Sequence, residues 1–390
     1  MPKILYLVEQ PLDDRNYKRF GIQHWVDAGW SVEIWDFTKI SFPHTWKELE
    51  NSGRQSANFE GLQTVSSLKE LGKKLRKSKS VQLYVDFTGW NLHTIYAKLR
   101  LKLMGAKLIN LLNGNLPRVE SKKKSKFIYQ FYDFLHSIDF TFALKIFRTP
   151  FYKISKYFLK PDYIVVTGNN LFNLPKGNPS IIYAHDFDYD IYLELRSQLN
   201  MGNCVTIPRC VFLDQNLTSH TDFLGANSNY PVTSENYFKS MSNAFKGLTD
   251  QIKLPIYVAE HPRSVNRSNW HNVDGVKRGI TAEIVKTSRA VICHYSTAVK
   301  FAVLFNKPIL FFTTNELNAS GHGQLIEQIA AELGKSAINI DNDLAEINWA
   351  AELNIDIDKY RSFSNNYIKF PGSPDMPLWK IVMNNVNFLS

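Results

Sequence analysis

Short apolar runs alternate with helix-like segments along most of the chain. In the first half, the apolar runs typical of strands lie at residues 3–8, 31–36, 81–86, 107–112, 161–168 and 180–184. Helical spacing predicts helices at 20–28 and 92–104, which end at Gly29 and Gly105, and glycine is a frequent residue just beyond a helix. Strands that alternate with helices indicate a mostly parallel sheet whose loops gather at one edge.

The same pattern restarts near residue 200. The strand-like runs of the second half are 204–207, 209–213, 256–259, 290–293, 309–312 and 337–340. Helices are predicted at 234–248, 299–305, 325–333 and from about 376 to the end. No close repeat suggests a solenoid, so two α/β halves joined near residue 200 are the simplest interpretation.

One segment differs from this pattern. Residues 122–160 begin with KKKSK, continue with many Phe and Tyr, and contain Asp133 and Asp139 as the only acidic residues. A basic, aromatic amphipathic helix pair is typical of a segment that lies on an anionic membrane surface. The other interpretation is a helical insertion packed on the first half, because aromatic stripes at helical spacing usually face a core. No nucleic-acid recognition motif accompanies it, so nucleic acid is not expected as a partner.

Composition narrows the class of partner. The chain has 390 residues and a formal net charge of +10, which favours an anionic membrane, substrate or nucleic acid. Its cysteines, Cys204, Cys210 and Cys293, form neither a disulfide framework nor a zinc pattern. The N-terminal apolar run is too short for a signal peptide or a spanning helix. We therefore expect a reduced, cytoplasmic protein.

Polar residues that could carry chemistry follow the strands of the second half. Asp214 closes a very apolar strand, where a carboxylate can accept a proton from a hydroxyl or attack carbon itself; capping the next turn is the alternative. Pro262 restricts the backbone of His261, Arg263 can grip a phosphate through two donors, and Glu260 is placed to orient its neighbours. A histidine and proline exposed on the surface without a ligand are the competing interpretation.

A second polar segment follows the strand at 290–293. It comprises His294, Ser296, Thr297 and Ala298, directly before a predicted helix. Hydroxyls and backbone N–H groups at a helix start can bind an anion, although Ser and Thr there are also ordinary caps. Two such segments on strands of one half favour a phosphate site.

Weaker candidates lie in the first half. They are Asn113 and Gly114, which follow a strand, and the alternating acids Asp186, Asp188 and Asp190. The acids lack the glycine and distal glutamate of an EF-hand loop, so we expect no metal site. We predict an interdomain loop in which they contact sugar hydroxyls or basic side chains. Walker, dinucleotide-binding, HExxH and GxSxG motifs are absent from the sequence.

Taken together, these pieces resemble GT-B-type glycosyltransferases of bacterial surface-polysaccharide assembly. The resemblance is carried by KRFGI at 18–22 with VEIWD at 32–36, FLDQ at 212–215, EHPR at 260–263, and HYSTA at 294–298 with NKP at 306–308. The order of acid, His-Pro and Ser/Thr is similar to that of the CMP-sugar-dependent sialyltransferases and Kdo (3-deoxy-octulosonic acid) transferases. The sialyltransferases pair two acids before a glycine, whereas this chain has Asp214, Gln215 and Asn216, which leaves the role of Asp214 open.

The resemblance implies an α/β, GT-B-like fold of two Rossmann-like domains that face a central cleft, with a C-terminal helix crossing back to the first domain. Residues 1–198 would bind the acceptor, with the basic aromatic insertion at 120–160, and residues 199–390 would bind the nucleotide sugar. Asp214 and His261 would be catalytic. Contacts with the donor would come from Glu260, Pro262, Arg263, His294, Ser296, Thr297 and Ala298. Acceptor contacts would come from Asn113, Gly114, Asp186, Asp188 and Asp190.

The implied reaction moves a Kdo- or sialic-acid-like sugar from a CMP-activated donor to a glycan or lipid-linked glycan in capsule, O-antigen or lipopolysaccharide synthesis. CMP carries a single phosphate, so the implied enzyme needs neither a metal nor a cofactor, and the CMP-sugar is a substrate. Asp214 would be the base of an inverting reaction or the nucleophile of a retaining one. The enzyme would be cytoplasmic and would touch the inner membrane face through residues 122–160.

Two alternatives remain open at this point. One is a GT-B transferase that uses a UDP-sugar or a CDP-polyol such as CDP-glycerol. The other is a non-catalytic glycan- or membrane-binding subunit that keeps the fold. Nucleotide binding separates the three hypotheses.

Overall fold

The protein is described by a computed structural model of the 390-residue chain. The structure describes residues 1–10, 12–43, 46–47, 57–78, 80–112, 116–117, 155, 157–169, 178–199, 206–219, 230–261, 264, 270–342 and 344–386. Most of the basic aromatic insertion, together with Asn113, Gly114, Pro262 and Arg263, lies outside these residues.

A parallel sheet of seven strands forms the first domain. In chain order its strands are β1 (Lys3–Val8), β2 (Ser31–Asp36), β3 (Leu62–Thr64), β4 (Val81–Phe87), β5 (Lys107–Leu112), β6 (Tyr163–Val166) and β7 (Ser180–Tyr183). Their spatial order is β3-β2-β1-β4-β5-β6-β7, and every pair is parallel. β1 is apolar and almost wholly buried because helices cover both faces of the sheet. The order reverses direction between β1 and β4.

Helices flank this sheet in the described part of the first domain. They are α1 (Asp14–Arg19), α2 (Ile22–Asp27), α3 (Thr38–Ser41), α4 (Leu68–Lys77) and α5 (Leu92–Leu103). The helix predicted at 20–28 is confirmed as α2, whereas α1 was not predicted. Gly21, which has a left-handed φ of 57°, separates the two helices. A Cβ at Gly21 would lie 2.2 Å from Cδ1 of Trp379, so close packing as well as backbone conformation requires glycine there.

A second parallel sheet, of six strands, forms the second domain. Its strands are β8 (Cys210–Leu213), β9 (Ile256–Glu260), β10 (Gly275–Arg278), β11 (Ala290–Cys293), β12 (Ile309–Thr313) and β13 (Ala337–Asn339). They lie in the order β10-β9-β8-β11-β12-β13, all parallel, and the order reverses between β8 and β11. Thr206 and Ile207, predicted in a strand, are not in one.

Helices cover this second sheet and connect it to the first. They are α6 (Phe187–Leu199), α7 (Ser234–Ile252), α8 (Thr281–Thr287), α9 (Val299–Leu304), α10 (Asn315–Ala319), α11 (His322–Glu332), α12 (Trp349–Glu352), α13 (Ile357–Tyr367) and α14 (Leu378–Asn385). α6 packs into the second core through Tyr189 and Leu195. The predicted domain boundary at residue 198 falls near the end of α6 and stays a prediction.

The last helix, α14, returns to the first domain. Leu378, Trp379, Ile381 and Val382 are buried in the same core cluster as β1. The indole Nε1 of Trp379 donates a hydrogen bond to the carbonyl of Arg19 at 2.7 Å. This confirms the expected α/β fold of two Rossmann-like domains with a C-terminal helix that crosses back.

Candidate functional site

The polar segments predicted in the second half meet at the point where the order of the second sheet reverses. The loop after β8 contains Gln215, and its side-chain Oε1 accepts a hydrogen bond from the backbone N–H of Tyr295 after β11, at 2.9 Å. Open α/β sheets bind ligands outside the carboxyl ends of strands at such a reversal. The segments that contain Asp214, His261 and Ser296 therefore lie where open α/β folds place a ligand.

Asp214 connects two of these segments through its carboxylate. Oδ1 accepts the backbone N–H of Asn216 at 2.9 Å, and Oδ2 accepts the backbone N–H of His261 at 3.0 Å. The residue is only 7% exposed. Burial raises the pKa of Asp214, and the backbone hydrogen bonds oppose that rise. The Asp214 carboxylate thus holds the backbone at His261 in place, and its role as catalytic base or nucleophile stays a prediction.

His261 and Glu260 lie at the carboxyl end of β9. The His261 side chain is half-buried. Glu260 is 2% exposed, and its Oε2 accepts from Nε of Arg278 at 2.9 Å. Its Oε1 is buried and has no hydrogen-bond partner among the described residues. Buried polar atoms are normally hydrogen-bonded, and a ligand or a water molecule could donate to this oxygen.

His294 does not face the ligand position. Its ring is fully buried; Nδ1 donates to the carbonyl of Phe312 at 2.7 Å, and Nε2 accepts from the hydroxyl of Tyr237 at 2.9 Å. Burial lowers its pKa to about 4. The structure therefore corrects the predicted contact between His294 and a donor: it is a neutral histidine of the second core.

The three residues that follow Tyr295 lie closer to the surface. The Ser296 Oγ accepts the backbone N–H of Ala298 at 3.2 Å, which leaves its own O–H free to donate elsewhere. Thr297 is exposed and Ala298 is half-buried. Tyr295, which sequence reasoning did not select, has a buried hydroxyl without a hydrogen-bond partner in the described part of the chain. Donor binding by this segment stays a prediction.

The three alternating acids lie at the junction between the domains. Asp186 pairs with Nζ of Lys300 at 2.5 Å, and both side chains are almost fully buried. Asp188 pairs with Arg19 at 3.1 Å, while Asp190 accepts the backbone N–H at the start of α14 at 2.9 Å. The predicted contacts with basic side chains are thus present for Asp186 and Asp188, and contact of the three acids with an acceptor stays a prediction.

Burial raises the pKa of Asp188, and the neighbouring Asp186 carboxylate adds to that rise. Burial also raises the pKa of Asp190 to about 6. Asp186 lies three residues after the end of β7, and Lys300 lies in the first turn of α9, the helix that follows β11. The carboxyl edges of the two sheets therefore meet at this ion pair.

A further polar cluster, which sequence reasoning missed, lies where the order of the first sheet reverses. Glu9 follows β1, and its Oε1 accepts from the Ser41 hydroxyl at 2.5 Å and from Nδ2 of Asn91 at 2.8 Å. Its Oε2 accepts the backbone N–H of Gly89 at 2.5 Å. The Ser41 Oγ lies 2.7 Å from Nε2 of His93. The sequence signal was a glutamate directly after a buried strand.

Among the residues that the structure describes, no group of three or more His, Cys, Asp or Glu side chains is placed to hold a metal ion. None of the helices in that part of the chain is both long and apolar enough to cross a membrane.

Comparisons with known proteins come from structures alone, since neither a family model nor a curated protein matches the chain. MurG from Acinetobacter baumannii is 8% identical, with a TM-score of 0.48 over 98% of this chain and 99% of that chain. CalG4, the calicheamicin glycosyltransferase, is 12% identical, with a TM-score of 0.47 over 94% and 95%. The UDP-GlcNAc 2-epimerase from Methanocaldococcus jannaschii is 12% identical, with a TM-score of 0.48 over 98% and 99%. Likeness at this level assigns neither an activity nor a substrate.

Proposed function

We propose that the protein is a glycosyltransferase that moves a Kdo- or sialic-acid-like sugar from a CMP-activated donor to a glycan acceptor of a bacterial capsule, O-antigen or lipopolysaccharide. One observation carries the proposal. The segments after β8, β9 and β11 are tied together at the sheet reversal by the Asp214 and Gln215 hydrogen bonds. They lie at the carboxyl edge that meets the first domain through the Asp186–Lys300 pair.

In this proposal the donor phosphate lies beside His261, Ser296 and Thr297. His261 protonates or holds the departing phosphate, with its backbone fixed by Asp214. The free O–H of Ser296 and the exposed hydroxyl of Thr297 donate to the phosphate oxygens. Arg263, which is outside the described residues, binds the phosphate or the donor carboxylate.

The charges and the buried polar atoms agree with such a ligand. CMP and an acidic sugar are both anionic, and the chain has a net charge of +10. Glu260 Oε1 and the Tyr295 hydroxyl are buried polar atoms for which a bound nucleotide or water would supply partners. Contact of residues 122–160 with an anionic membrane belongs to the same proposal, since it would bring a lipid-linked acceptor close.

The test is thermal unfolding of the wild-type protein with CMP, CTP, UDP or ADP. We expect CMP and CTP to raise the melting temperature; a ligand at 100 times its Kd adds about 2.7 kcal/mol of stability. A shift with UDP alone would favour a UDP-sugar transferase. No shift with any of the four would favour a non-catalytic subunit.

A pair of histidine variants locates the nucleotide. His261→Ala should lose most of the CMP-induced shift, because the ring is proposed to contact the phosphate. His24→Ala is the matched control, since His24 is also half-buried but lies on α2 of the first domain. Equal loss of the CMP shift in both variants would place the nucleotide elsewhere.

A further inference from the structure

A hydrogen-bonded cluster of polar side chains also lies where the strand order of the first sheet reverses. Glu9 leaves the carboxyl end of β1, and Gly89 and Asn91 follow β4, the neighbouring strand on the other side of the reversal. The fold rule that places a ligand at the reversal of the second sheet applies equally to this crevice. The residues lining it are therefore candidates for contact with the second substrate.

The cluster holds one histidine in a fixed position. His93 lies in the first turn of α5, half-buried, and its ring stacks on Phe37 with centroids 6.0 Å apart and an interplanar angle of 17°. Its Nε2 lies 2.7 Å from the Ser41 Oγ. Contacts on one ring face and at one nitrogen restrict the rotation of the imidazole.

The hydrogen bonds also define which ring nitrogen carries the proton. Glu9 receives three donors, from Ser41, Asn91 and Gly89, and an ionised carboxylate can only accept. The Ser41 O–H therefore points to Glu9, and the Ser41 Oγ accepts from Nε2–H of His93. The other ring nitrogen, Nδ1, keeps its lone pair and has no hydrogen-bond partner among the described residues.

We propose that this crevice binds the acceptor glycan and that His93 is the catalytic residue that takes the proton from the attacking hydroxyl, with Ser41 and Glu9 as its positioning residues. This inference rests on the proposed function and replaces Asp214 as the base. His93 is half-buried with a free nitrogen, whereas Asp214 is 7% exposed and both of its oxygens accept backbone hydrogen bonds.

The acceptor oxygen forms a bond to the anomeric carbon of the donor, while the bond from that carbon to the CMP phosphate oxygen breaks and its electron pair goes to the phosphate. The hydroxyl proton passes to Nδ1 of His93. The resulting imidazolium donates from Nε2 to Ser41, and Ser41 donates to Glu9, so the new positive charge lies two hydrogen bonds from a carboxylate. Burial lowers the pKa of His93 while the Glu9 carboxylate opposes this, so the ring is neutral near pH 7.

The activity test uses the full-length protein with CMP-Kdo or CMP-sialic acid as donor, and deacylated lipopolysaccharide or a sialylated oligosaccharide as acceptor. His93→Gln should lower kcat by about 10²- to 10⁴-fold, the usual contribution of a general base, with the Kd for CMP unchanged. Ser41→Ala should lower kcat less and leave KM for the donor unchanged. His24→Gln, a half-buried histidine on α2, is the control.

A second readout does not depend on turnover. Nitrogen NMR of the wild-type protein should show His93 in the Nε2–H form, and Ser41→Ala should shift that tautomer towards a mixture. An Nδ1–H form, or a kcat for His93→Gln within threefold of wild type, would overturn the inference. Failure of wild-type protein to bind CMP would overturn the proposed function instead, while the tautomer would still report on the cluster.

Discussion

The ion pair between Lys300 and Asp186 provides the sharpest test of how the domains join. Its two side chains are 1% and 2% exposed, and the charged atoms are 2.5 Å apart. Asp186 also accepts the backbone N–H groups of Asp188 and Tyr189 at 3.1 Å. Lys300→Met keeps most of the unbranched side chain but removes the cation, and so leaves a carboxylate buried beside an apolar group. Breaking a buried ion pair in this way lowers the free energy of unfolding by about 3–5 kcal/mol.

The assay is urea unfolding, with the free energy of unfolding taken from the transition midpoint at constant m value. Arg361→Met is the matched control, because its pair with Asp358 has a similar distance of 3.0 Å but its side chains are 68% and 89% exposed. An exposed pair contributes about 0–1 kcal/mol. Lys300→Met combined with Asp186→Asn should cost less than Lys300→Met alone, since no unpaired charge remains. A loss for Lys300→Met no larger than that for Arg361→Met would refute the reasoning.

Two further predictions concern the cores. Burial lowers the pKa of His294 to about 4, below its ordinary value. The neutral ring therefore stabilises the folded protein fully above about pH 6.5, and this contribution is lost as the pH falls towards 4. Between pH 7 and pH 5 we expect the wild type to lose roughly 2 kcal/mol more stability than His294→Gln, and equal losses in chemical denaturation would contradict this. Gly29→Ala should cost about 1 kcal/mol because of its left-handed φ of 79° alone, with open space around its Cβ position. Gly21→Ala should cost a further ~2 kcal/mol because its Cβ would strike Trp379, and similar melting temperatures for the two glycine variants would show that α14 does not pack there.

The pattern of apolar runs was sufficient to predict the central strands of both sheets, because strands buried on both faces are continuous apolar segments. It missed β3 and β10, which lie at the sheet edges; β10 reads GVKR, and all of its residues are partly or fully exposed. It also missed α1, which lies outside the helix predicted at 20–28. Gly21, between α1 and α2, packs against Trp379, which lies more than 350 positions away in the chain, and no local pattern contains that information.

In the candidate site, too, some features were predictable from the sequence and others depend on the fold. Sequence order placed Asp214, His261 and Ser296 after neighbouring strands, and the sheet brings their segments together. Which neighbour faces inward was beyond the sequence, because His294 and Ser296 are two residues apart and yet His294 is used entirely within the core. The backbone N–H of His261, which donates to the Asp214 carboxylate, reaches it only in the folded protein. The sequence alone therefore could not distinguish a capping role of Asp214 from a catalytic one.

The cluster of Glu9, Ser41 and His93 in the first domain was only partly predictable from the sequence. Glu9 after a buried strand is visible in the sequence, but its partners Ser41 and His93 come from two other segments, 32 and 84 positions further along the chain. Only the strand order brings the three together at one edge.

In the proposed function, the reversal point of the second sheet binds a cytidine monophosphate leaving group. The most direct measurement is a crystal structure of the protein grown with CMP. We expect the phosphate within hydrogen-bond distance of the His261 ring and the Ser296 hydroxyl, outside the carboxyl ends of β8 and β11. CMP bound at any other surface, or that crevice left without nucleotide at saturating CMP, would contradict it.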